Sequence, residues 1–137
     1  MKLSIEIKKT LIKEIEFAIE KMQASKDPNS IMFYFSAVYG VLHRIFNIEY
    51  DPDLVFAHFV VNGTYQQINA RLQATETDKR IELPANLFER LIETTKDFLQ
   101  ALMDDRNFYE ALKNYTLLGY VTIGNGYYLY QKGLLKI

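Results

Sequence analysis

The segment from Ile31 to Ile45 constrains this chain more than any other, because as a helix it is apolar around most of its circumference. Such a helix must be covered on several sides, which predicts a place at the centre of a bundle rather than on its surface. It carries His43 and Arg44 towards its end and falls short of the roughly 20 residues that a membrane span needs. The predicted helix covers residues 30 to 46. Within it, Ser36, Gly40, His43 and Asn47 recur at four, three and four residues, a narrow small or polar stripe that would let another helix approach closely.

Around that segment the pattern is helical again. Ile12, Ile15, Ile19 and Met22 recur at three-four spacing and predict a helix over 4–25. Asp51 and Pro52 have the residue types of a cap and first turn, opening a helix over 53–75. Asn62-Gly63 predicts a break in it, with Thr64 and Gln67 as a capping box for its resumption. Phe88, Leu91, Thr95, Phe98 and Leu102 predict a helix over 85–103. Phe108, Leu112, Tyr115 and Leu118 predict a last one over 106–118, with Gly119 as its end. At 137 residues, with no long linker or repeat, this is one domain.

The final stretch, "GYVTIGNGYYLYQKG", breaks the pattern with glycines and tyrosines. Asn125-Gly126 has the composition of a type I′ turn, so a β-hairpin is predicted over 120–131. Its register places Val121, Ile123, Tyr128 and Tyr130 on one face and Thr122, Tyr127 and Leu129 on the other. The expected fold is therefore mainly α: a single-domain bundle of about five helices with a short C-terminal hairpin. Because both hairpin faces are apolar or aromatic, one is expected to remain for another molecule. Tyr120, Tyr127, Tyr128, Leu129 and Tyr130 are the interaction candidates.

Composition removes several functions. The chain has no cysteine, which excludes disulfides, thiolate zinc sites and thiol nucleophiles. The N-terminus breaks its apolar residues with charge and offers no signal-peptide core, so a cytoplasmic protein is expected. A net charge of -1 gives no global attraction to nucleic acid or to an anionic membrane. His43 and His58 lie on different helices without metal-ligand spacing, and Glu89, Glu93 and Asp97 read as a solvated helix face, so no metal or cofactor is expected. The leading reading is a non-enzymatic interaction or assembly module that self-associates through the tyrosine-rich hairpin as a homo-oligomer, with no evident small molecule. An alternative is a small-ligand protein or enzyme whose pocket gathers Ser36, His43 and Asn47, with His43 as general base and Asp51 or Asp53 nearby.

The run "FYEALKNYTLLGYVTIGNGYYLYQKG", residues 108 to 133, also resembles the recognition helix and wing of winged-helix transcription regulators. The resemblance implies duplex DNA as a partner, held through Lys113 and Lys132. The chain departs from that pattern in three ways. The preceding helix is long and no separate second helix intervenes, the would-be recognition helix has one base, Lys113, against Glu110, with Arg106 offset by Asp104 and Asp105, and Gly124 to Gly126 carries no charge for a phosphate.

Overall fold

The computed structural model describes residues 2–137. Among them are six helices: α1 (Ile5–Ala24), α2 (Pro28–Ile48), α3 (Pro52–Thr77), α4 (Leu87–Met103), α5 (Tyr109–Tyr120) and α6 (Gly124–Gln131). The first three begin on side-chain caps. Ser4 accepts from the Ile7 N–H, Asp27 from Ser30, and Asp51 from Asp53 and Leu54, each filling donors that a helix start leaves open. Asp51 also accepts from the Lys2 N–H at 2.9 Å, which ties the N-terminal segment to the start of α3.

The helices close into a ring. α1 packs on α2 and α4, α2 on α3, α3 on α5, and α5 on α4. Helices that alternate in direction can close a ring only when their number is even, so in a ring of five one neighbouring pair must run parallel. Cross-contacts identify that pair. Ser4 reaches Glu49, the Tyr39 ring meets Tyr65, Phe98 meets Phe108, and Lys8 pairs with Asp105, so four seams are antiparallel. Between α3 and α5 the order runs the other way. Tyr109 bonds Asp53 near both starts, Thr64 bonds the Tyr115 carbonyl in mid-helix, and Gly119 lies against Gln67. The parallel seam is α3 with α5.

Inside the ring, Leu11, Ile15, Met22, Phe35, Leu42, Leu54, Ile68, Leu91 and Phe98 are fully buried. Each such side chain contributes about 1.5–3 kcal/mol on leaving water. Tyr115 is also fully buried, and its hydroxyl donates to Thr95 Oγ1 at 2.8 Å. Desolvation dominates its environment and pushes the phenol well above its ordinary range.

Several expectations are corrected. α2 begins at Pro28, not residue 30, because Asp27-Pro28 caps and opens it just as Asp51-Pro52 does for α3. At 21 residues it is, by length and composition alone, long and apolar enough to cross a membrane, contrary to the shorter segment expected; its Met32, Phe35, Val38, Val41, Leu42 and Ile45 are buried in the bundle. Nothing lies within 4 Å of a β-carbon built on Gly40, so no helix uses the small-residue stripe.

The break at Asn62-Gly63 is absent, and α3 runs straight through it. Leu54, Ala57, Val61, Thr64, Ile68 and Leu72 form one buried stripe, and its packing outweighs the roughly 1 kcal/mol that glycine costs a helix. Thr64 does not make a capping box; its hydroxyl donates to the Tyr115 carbonyl.

The C-terminal β-hairpin is also absent: no strand occurs among the described residues, and 124–131 is helix α6. A type I′ turn needs positive φ at Asn125 and Gly126, whereas the positive values fall at Gly124 (24°) and Gly133 (75°). Gly126 serves close approach instead. A β-carbon there would meet the Tyr120 carbonyl oxygen at 1.9 Å, so glycine allows α6 to fold back on the end of α5. Gly119 likewise lies inside α5 rather than after it, where a β-carbon would meet Thr64 Cα at 3.3 Å. With no hairpin there is no wing, and the feature that carried the likeness to winged-helix regulators is gone.

Candidate interaction groove

The parallel seam leaves an open depression on the surface. It is a groove of about 860 Å³ lined by Asp53, Phe56 and Val60 of α3 and by Tyr109, Leu112, Lys113, Asn114, Thr116, Leu117 and Tyr120 of α5. The sequence dictates why it is apolar. Phe108, Ala111, Leu112, Tyr115 and Leu118 use one side of α5 for the core. Tyr109, Leu117 and Tyr120 form a second stripe, which those core residues leave uncovered, while the buried Leu112 contributes to the floor between them. α3 adds Phe56 and Val60 one turn apart. Phe56 is 54% exposed, Tyr109 52% and Tyr120 38%.

Polar groups sit at one end and along one edge. The Tyr109 hydroxyl donates to Asp53 Oδ1 at 3.1 Å, bridging the two helices where they begin. That hydrogen bond, followed by the carboxylate's charge and by desolvation, raises the phenol above its ordinary value. Lys113 pairs with Glu110 at 3.5 Å on the outer edge of α5. The arrangement offers apolar shape and a few orienting polar groups.

Of the hairpin candidates, only Tyr120 lines the groove. Tyr127 faces inward, with the Arg71 guanidinium 3.5 Å from its ring centroid. Tyr130 stacks on Tyr127, 6.2 Å between centroids, and its hydroxyl accepts from the Ala85 N–H at 3.3 Å. Leu129 is half-buried, and Tyr128 alone of this set stands out, 56% exposed beside Lys132. Tyr127, Tyr128, Leu129 and Tyr130 therefore belong to the docking of α6, outside the groove.

The alternative pocket does not assemble. Ser36 donates to the Phe33 carbonyl within its own helix, and the Asn47 amide donates to the His43 carbonyl at 2.9 Å. His43 is exposed, and its ring lies 5.3 Å from Phe46 and 5.3 Å from His58. Asp51, one of the carboxylates expected near it, is spent on the cap of α3. His58 Nδ1 is buried without a hydrogen-bond partner, and desolvation, then the neighbouring His43, lowers its pKa. Among the described residues no three His, Asp or Glu side chains gather as metal ligands. Glu93 of the acidic row is paired with Arg90 at 2.8 Å.

No family model, curated protein or solved structure matches this chain. The functional reading therefore rests on the groove itself.

Sequence patterns missed Phe56, Val60, Tyr109 and Leu117 as surface candidates. The signal was present in α5, a helix with two apolar stripes where a surface helix needs one.

Proposed function

We propose that this protein is a non-enzymatic interaction module that receives the apolar face of another helix in the α3–α5 groove. One observation carries the reading: Phe56, Val60, Tyr109, Leu117 and Tyr120 face solvent from two neighbouring helices at helical spacing. A trough between two helices, with side-chain ridges along both edges, matches the ridges of a third helix, and helix-in-groove recognition uses anchors at i, i+3, i+4 and i+7. Aromatic side chains add area at low entropic cost, and the Tyr109 hydroxyl supplies a polar tip at the rim.

The probe for this function is a synthetic amphipathic helix with leucines at i, i+3, i+4 and i+7, titrated into the isotope-labelled chain. Amide shifts concentrated on 56–60 and 109–120, lost in Phe56→Ser, are the expected result. Shifts confined to Phe17 and Phe33 on the far side of the bundle, or none at all, would overturn it.

A further inference from the structure

We infer that the natural occupant of the groove is a second copy of this chain, docked antiparallel across a two-fold axis near the middle of α5. The inference rests on the groove being a docking surface and adds the identity and direction of what docks.

A two-fold contact must be self-complementary: if residue i meets residue j, then j meets i. The groove-facing stripe of α5 has that property in its sequence. Tyr109, Leu112, Leu117 and Tyr120 read tyrosine, leucine, leucine, tyrosine from either end, centred between Asn114 and Tyr115. Lys113 and Thr116 flank the same centre. An antiparallel second copy sets Tyr109 against its Tyr120 and lays its Leu117 over the buried Leu112 of the groove floor, with Phe56 and Val60 closing the sides.

Electrostatics select the same direction. α3 and α5 run parallel, so their macrodipoles add, with both positive ends by Asp53 and Tyr109. The chain has offset that end with acid. Asp53, Asp104, Asp105 and Glu110 lie there against Lys8, Arg106 and Lys113, whereas residues 121 to 137 carry two lysines and no acidic side chain. Those lysines, Lys132 and Lys136, come after Tyr120 in the chain, at and beyond the end of α6. Turning a second copy end for end places acid opposite base and opposes the summed dipoles, while a parallel second copy stacks like on like.

The absence of cysteine allows clean single-site labelling. The wild-type chain is first examined by sedimentation equilibrium, then Thr116→Cys and Asn107→Cys are each labelled with a nitroxide for dipolar distance measurement. A dimer is expected in which the Thr116 labels lie close together. The Asn107 labels, just before α5 and each about 11 Å from the axis at 1.5 Å per residue, should lie about 22 Å from each other along that direction, against about 5 Å for the Thr116 pair. Phe56→Ser combined with Leu117→Ser should weaken the dimer at least tenfold, and Phe17→Ser combined with Phe33→Ser should leave it unchanged. A monomer at the highest attainable concentration overturns the inference, as does a dimer that survives the groove substitutions or one in which the Asn107 labels are the closer pair. A monomer that still takes the synthetic helix removes only the second copy as occupant; a monomer that does not take it removes the groove reading as well.

Discussion

The Tyr115 hydroxyl donates to Thr95 Oγ1 at 2.8 Å in the fully buried centre of the ring, and the Thr95 hydroxyl in turn donates to the Leu91 carbonyl. The chain of donors spans α5 and α4 and leaves no hydrogen unshared. Tyr115, first among the largest fully buried side chains, thereby has its ring in contact with Phe35 and Phe98. Removing only the hydroxyl should cost about 1 kcal/mol, the net worth of a buried hydrogen bond, while Tyr115→Ala should cost about 3–5 kcal/mol for the cavity. Urea unfolding of the two variants reads the difference. Equal losses would show that the hydroxyl, rather than the ring, dominates.

Tyr115 also gives a spectroscopic prediction. Its burial raises the phenol, so alkaline titration followed by ultraviolet absorbance should leave one tyrosine un-ionised until the chain unfolds. In Tyr115→Phe that late step should vanish. A titration in which every phenol of the wild type ionises in one early wave would contradict the packing described.

Glycines of the same kind in sequence should respond oppositely to alanine. Gly63 has open space where a β-carbon would go and no positive φ, so Gly63→Ala should stabilise by about 0.5–1 kcal/mol through helix propensity. Gly126→Ala should destabilise and release α6, since the new carbon meets backbone at 1.9 Å. Thermal unfolding gives the sign of each. A loss at Gly63 would argue for a real break in α3 after all.

These two glycines mark the limit of what patterns alone reveal. The helix segments, the central position of α2 and the Asp51-Pro52 start are legible because three-four spacing and caps are local signals. Asn62-Gly63 and Asn125-Gly126 carry the same break signature, and both lie in helices. What decides them is distant: the buried stripe of α3 in one case, and the Tyr120 carbonyl pressed on Gly126 in the other. The groove was hidden for a related reason. The parallel seam follows from closing a ring of five, and only that closure separates the stripe of α5 that reaches the core from the one left outside.

Arg71 should matter more than its half-buried position suggests. It stacks on Tyr127, donates to the Glu82 carbonyl and reaches the Thr122 carbonyl at 3.5 Å, joining α3, the α3–α4 connection and the turn before α6. Arg71→Met keeps the stem and loses the planar fork, which should cost about 1–2 kcal/mol. Amide exchange should accelerate over 124–131 and not over α1. Unchanged protection of α6 would mean that Gly126 packing alone holds it.

His58 sets an acid dependence. It faces Tyr39, His43 and Phe46 from α2 and Phe59 on its own helix, and desolvation followed by His43 holds its pKa below the ordinary imidazole value. The unfolded chain therefore takes up this proton more readily than the folded one. Stability from this group is present above about pH 6.5 and is lost as pH falls through the folded value. His58→Phe should flatten that part of the stability profile measured by urea unfolding. An identical slope in the variant would assign the acid sensitivity elsewhere.

The central claim, that α3 and α5 present their groove to another copy, is tested most directly by methyl NMR of the intact chain over a concentration series. The account predicts that the Val60, Leu112 and Leu117 methyls shift or broaden with concentration, while Ile48 and Leu134, exposed elsewhere, stay constant. Constant Val60 and Leu117 signals, or changes confined to Ile48 and Leu134, would contradict it.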